Sequence, residues 1–141
     1  TLWAGHRDMD VDVHFSHPAA AVGLSTGLIN VKNSVEFTDK HGLRGLWGKD
    51  WPAGAKDTID KKQETVGMGI YIPDSVLRRE LPADADNYPF VIGTNGCDLS
   101  YKLTYSSDDE TFGYHNSKDW FGFLKSWRRD IEHPVEVTVE K

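Results

Sequence analysis

Near the start of the chain His6, Asp8, Asp10, Asp12 and His14 recur at every second position, interleaved with Met9, Val11, Val13 and Phe15. Side chains of an extended strand alternate between faces. The acids and imidazoles therefore share one face, and the apolar set shares the other. Neighbours on one face stand roughly 6.5–7 Å apart, too far for a single metal ion to collect the whole ladder. Asp12 and His14 could share an ion only with a ligand from another strand. The ladder could equally line a polar groove that exchanges hydrogen bonds with sugar hydroxyls, or it could face solvent. Asp10 and Asp12 are also candidates for the carboxyl pair of glycoside hydrolysis, which flanks the scissile bond at about 5–10 Å.

Three further groups carry chemistry. Tyr114 and His115 precede a helix start, where free N–H groups and the helix dipole favour anions. They could serve as general acid and base or bind the carboxylate of an acidic sugar, or His115 could simply hydrogen-bond near the cap. Lys118, in the first turn, would reinforce anion binding or lie in solvent. Arg44, Trp47 and Trp51 fall among glycines; indoles there could stack on the apolar faces of sugar rings or fill the core. Glu64 opens a strand on its apolar parity, as a buried acid with a raised pKa or as an edge residue. For lyase chemistry the base would be Tyr114 or His115, and the cation neutralising a uronate would be Arg44 or Lys118. No nucleophile elbow, phosphate loop, zinc helix or deaminase signature is present.

These residues need strands to hold them. After the first strand, Ser16-His17-Pro18 breaks the pattern and residues 21–29 form a second strand. Residues 34–38 alternate, Asp39–Gly42 turn, and 43–51 give a strand running into a loop over 52–62. Residues 63–73 read as the central strand. Val66, Met68, Ile70 and Ile72 share one of its faces, and Gly67, Gly69 and Tyr71 the other, leaving a trough for a ligand or a packed aromatic. Asp74 could cap one helical turn before Glu80. The strand at 88–93 is expected to pair, through the Asn95-Gly96 turn, with the alternating strand at 97–106. Asn116 or Ser117 caps the one long helix, with Trp120, Leu124, Trp127 and Ile131 as its buried stripe and His133-Pro134 as its stop. Val135, Val137 and Val139, alternating with Glu136, Thr138 and Glu140, predict a closing strand. The fold class is all-β: an antiparallel β-sandwich or curved sheet with one helix near the C-terminus.

The chain has 141 residues, enough for one domain over 1–141. Its net charge is −6 with no basic run, which argues against nucleic acid as a partner. No apolar run approaches the roughly 20 residues needed to span a bilayer, so no membrane partner is expected. Cys97 is the single cysteine, so the chain forms no internal disulfide. The sequence calls for no cofactor, although a structural or catalytic divalent cation is compatible with the ladder. Thr1-Leu2-Trp3 has no initiator Met, and a processed, trimmed or fragmentary chain is expected.

Gln63-Glu64-Thr65-Val66-Gly67-Met68-Gly69-Ile70-Tyr71-Ile72-Pro73, followed by Phe112-Gly113-Tyr114-His115-Asn116-Ser117-Lys118-Asp119-Trp120-Phe121-Gly122-Phe123-Leu124 and a short final strand, resembles the C-terminal portion of an uncharacterised bacterial domain family. That family is found beside polysaccharide-degrading enzymes and is thought to share the galactose-mutarotase-like β-supersandwich; its members are longer than this chain. The resemblance implies a periplasmic or secreted protein with a carbohydrate ligand, either a lyase or hydrolase or a non-catalytic binding module. Mutarotase-like enzymes use a His and a Glu in the concave face, and His14 or His115 with Glu64 are the nearest candidates. The alternative is a structural half-domain that completes a larger sandwich with a second chain or segment.

Overall fold

Alternating side chains place eight strands in two antiparallel sheets. The computed structural model describes residues 1–56 and 62–139. Among them, β1 (Asp8–His14), β2 (Leu24–Ile29), β3 (Val31–Thr38), β4 (Leu43–Pro52), β5 (Thr65–Tyr71), β6 (Leu77–Glu80), β7 (Asn87–Ile92) and β8 (Asp98–Ser107) precede α1 (Ser117–Glu132). The larger sheet has the order β1-β8-β5-β4-β3 and the smaller one β2-β7-β6.

The sheets bury their facing sides against each other. Leu46, Ile70, Phe90, Ile92 and Leu99 form the centre of that core, with Val13, Phe15 and Tyr101 packed at its margin. Each fully buried side chain of this kind contributes roughly 1.5–3 kcal/mol. The other side of the large sheet carries α1, whose buried Trp120, Leu124 and Trp127 pack with Leu43, Trp47 and Tyr71. The fold is thus a β-sandwich with a helix on the outer face of its larger sheet.

Glycines set how close that helix comes. Gly67 and Gly69 of β5 face α1, and a Cβ on Gly67 would lie 2.7 Å from the Trp120 ring. A Cβ on Gly69 would lie 2.5 Å from Leu124, and one on Gly45 would also collide with it. The trough of the central strand is therefore filled by the helix stripe. Asn116 caps α1 by accepting a hydrogen bond from the Asp119 N–H, and the helix ends at His133.

Three local expectations need correction. The Asn95-Gly96 turn does not close a hairpin: β7 pairs with β2 and β6, whereas β8 pairs with β1 and β5. A two-residue hairpin turn of this composition requires positive φ, and neither residue has it. The Thr94 hydroxyl instead donates to the Asp98 carbonyl, 2.6 Å, and the connection crosses between sheets. Second, residues 74–80 are not a helical turn up to Glu80. The Pro73 carbonyl accepts from the Val76 and Leu77 N–H groups, and the chain then enters β6. Third, residues 134–139 form no strand; Val135, Val137 and Val139 are 81–90% exposed. Alternation without a neighbouring strand gives the backbone groups no partner. Glu140 and most of the 52–62 loop's tip, residues 57–61, lie outside the described residues.

Candidate functional site

Lys102 organises the acid ladder of β1. The register sets it directly across from Asp10, with Asp8 opposite Thr104, and side chains so paired share a face. The Lys102 ammonium donates to the Asp10 carboxylate and lies 4.0 Å from that of Asp8. Asp10 also accepts from the Trp3 indole N–H at 2.9 Å, and Asp8 from the Trp127 indole N–H at 3.1 Å. The Lys102 hydrogen bond, followed by that of Trp3, holds the Asp10 carboxyl below the usual carboxylate range. His6 Nδ1 stands 3.3 Å from Asp8.

Trp3, His6, Asp8, Lys102 and Trp127 of this network line a cleft, with Asp10 outside the lining. The cleft holds about 870 Å³ between the Trp3–Asp8 segment, Lys102 and the later turns of α1, where Phe123, Trp127 and Ile131 form its wall. A tight turn aims Trp3 over it: the His6 N–H donates to the Trp3 carbonyl, 3.1 Å, and Gly5 has φ +78°. Positive φ at the third residue of such a turn selects glycine. Trp3 is 58% exposed yet tethered at its N–H, so the indole is a positioned apolar surface beside a polar floor.

The remaining candidates scatter. Asp12 and His14 continue the ladder toward its other end; both are exposed, and His14 Nδ1 lies 2.7 Å from Asp98. Glu64 is exposed just before β5 and accepts from the Ser107 hydroxyl at 2.5 Å. Asp98 and Ser107 are the two ends of β8, about 30 Å apart at strand rise, so His14 and Glu64 do not form a pair. Tyr114 is half-buried against Trp120 and Phe123, centroids 5.5 and 5.1 Å away, with Arg7 over its ring. His115 is exposed, 2.9 Å from the Asp108 carbonyl, and sits near Glu64 only in that both attach to the end of β8. The two neighbours thus serve different surroundings, a core and a surface. Lys118 is exposed at the start of α1 and is not among the residues lining the cleft, whose first helix residue is Phe123.

Arg44 is enclosed between the sheets, its side chain 2% exposed. It shares parity with Leu46, which faces the smaller sheet. The guanidinium donates to Glu36 at 2.8 Å and to the Leu81 carbonyl at 3.0 Å, forms an ion pair with Glu80 at 3.0 Å, and lies over Tyr88 and Phe90. It clamps the sheets together and does not face a ligand. Trp47 is buried under α1; Trp51 is half-buried, its indole N–H without a partner among the described residues. Neither indole is a free platform.

The cleft therefore joins His6 and Asp8, read from the ladder, to Trp3, Lys102 and Trp127, which sequence reasoning did not single out for a site; Asp10 lies outside the lining and bonds Trp3 and Lys102. Lys102 is the one cation on the polar parity of β8, which it shares with Asp98, Ser100, Thr104 and Ser106. Its meaning depends on register. Trp127 reads as core in the sequence, and it is core on one edge; its N–H reaches the ladder. Among the described residues no group of three His, Cys, Asp or Glu side chains is arranged to hold a metal ion, and no helix is long and apolar enough to cross a membrane.

No curated protein and no solved structure matches the chain. A family model does: residues 1–137 match Domain of unknown function (DUF4861), so the chain belongs to that family.

Proposed function

We propose that the protein is a carbohydrate-binding β-sandwich domain that holds polysaccharide fragments in the Trp3–Trp127 cleft. The observation that carries this reading is the pairing, in one open cleft, of a tethered and exposed indole with a hydrogen-bonding floor of Asp8 and Lys102, which Asp10 and Trp127 hold in place. Sugar rings present both an apolar C–H face and a rim of hydroxyls, and this combination meets both. Asp10 holds Lys102 and Trp3 in place beside the cleft, and its depressed pKa suits that anchoring role better than general acid chemistry.

Glycan-array screening followed by calorimetry on the best ligand tests it. Trp3→Ala should weaken binding by about tenfold or more, the scale of one lost stacking contact with its tether. The thermal melt should move little, because the residue lies outside both cores. Binding that is indifferent to Trp3→Ala would sink the assignment.

A second reading, a half-domain completing a larger sandwich with another chain or segment, is favoured by the outer edge of β1. The Thr1 N–H and C=O pair with Asp10, and Leu2 bridges Met9, so an added strand already begins there. By the alternation of ladder bonds, the backbone groups of Asp12 and His14 face the same way. Light scattering on the isolated chain should then show self-association or capture of the missing segment, whereas a stable monomer counts against it.

A further inference from the structure

The Gly5–Arg7 turn has a second cleft on its far side. It holds about 700 Å³ and is lined by Met9, Tyr105, Glu110 and Phe112 together with Gly5, His6 and Arg7, which also line the first. The two are therefore neighbours across one narrow ridge at the end of β1, on opposite faces of the β1–β8 pair: Asp8 and Lys102 face α1, Met9 and Tyr105 the other way. The ridge is fixed: Arg7 donates to Glu110 at 2.5 Å and to the carbonyls of Tyr105 and Phe112 at 3.2 Å each. The same bonds anchor the loop that carries Phe112, whose ring is nonetheless 92% exposed. Tyr105 and Met9 beside it are 42% and 38% exposed. Isolated exposed apolar residues need no explanation, but three around one cleft, on an anchored loop and strand, form a built surface.

The charges are also instructive. Lys102 and Arg7, the cations lining the two clefts, are already met by carboxylates, Lys102 by Asp10 and Asp8 and Arg7 by Glu110. Neither is free to neutralise a uronate, and the carboxylates lining the clefts, Asp8, Asp130 and Glu110, outnumber them.

We infer that the two clefts are successive parts of one groove that takes a neutral or amine-bearing oligosaccharide across the Gly5–Arg7 ridge, with Trp3 on one side and Phe112 on the other. This rests on the carbohydrate reading above and specifies its ligand: a chain of several residues, uncharged or cationic.

Calorimetry with cello-oligosaccharides, partially deacetylated chito-oligosaccharides and oligogalacturonides, each from mono- to hexasaccharide, tests it on the wild-type chain and on Phe112→Ala. Affinity for one of the first two series should rise with length, by about tenfold once the chain crosses the ridge, and Phe112→Ala should remove that gain. Affinity independent of length, or a length gain untouched by Phe112→Ala, overturns the groove while leaving sugar binding in place. Tighter binding of oligogalacturonides overturns the charge assignment. Absence of binding to all three series overturns this inference, and the carbohydrate reading falls separately if the glycan array is also blank.

Discussion

The two halves of α1 rest on the same sheet and meet it differently. Under Trp120 and Leu124 the sheet offers Gly45, Gly67 and Gly69, and the helix sits down against backbone. Under Trp127 and Ile131 it offers Tyr71, Lys102, Asp8 and Asp10, and the helix end stands over a cleft. Sheet curvature aside, the size of the sheet-facing side chain decides how near a helix can approach. Glycine on two adjoining strands makes a closed, dry contact, while lysine and aspartate make a propped and wet one. The fold spends its tightest packing at one end of a single helix and leaves its polar opening at the other.

Closing the gap between the halves should have the largest effect. Gly67→Val puts three carbons where the Trp120 ring lies, and overpacking of that kind costs about 3 kcal/mol or more. Urea unfolding should show the loss as a lower midpoint at unchanged slope. A drop under 1 kcal/mol would mean that the helix can lift without penalty, and the contrast between the halves would dissolve.

The far end of α1 is held by a polar pin. The Tyr71 hydroxyl donates to Glu132 at 2.8 Å, and Arg128 binds Glu132 and Asp39. Burial, then the hydrogen bond and charge of Glu132, push the Tyr71 hydroxyl up to about 12 from 10.0. The fold prefers the neutral phenol. Its contribution is therefore complete below pH 10 and is lost as pH rises through about 12. Tyr71→Phe should cost about 1–2 kcal/mol at neutral pH and should abolish the part of the alkaline stability loss that falls between those values. Parallel pH–stability curves for the two proteins would remove Tyr71 from the pin.

Period-two and helical spacing were enough to read which side of β1, β5 and β8 is apolar, and the Asn116 cap and Trp120–Leu124–Trp127 stripe of α1. Those signals are local: each depends on a residue and its near neighbours. What was not legible depends on partners far along the chain. The Asn95-Gly96 turn looks like a hairpin until β8 is seen to join a different sheet, and residues 135–139 alternate like a strand with nothing beside them. Arg44 reads as a free cation because Glu36, Glu80 and the carbonyls that enclose it come from three other segments. The candidate site was half legible. The ladder announced itself, but the cross-strand lysine that turns it into a floor follows only from the β1–β8 register.

The smallest effect belongs to that lysine, and it separates charge from packing. Lys102→Met keeps most of the aliphatic stem and removes the ammonium between Asp10 and Asp8. Because Asp10 titrates below its ordinary 3.8 in the fold, the stabilisation it draws from Lys102 is present above that value and is lost as pH falls through the lower, folded one. The variant should therefore trail the wild type by about 1 kcal/mol at neutral pH, and the difference should shrink in acid as Asp10 protonates in both. Paired denaturant midpoints at neutral pH and near pH 3 give the comparison. If the deficit is the same at both, Lys102 supports the cleft through its stem alone, and the wet half of the helix contact is held by packing just as the dry half is.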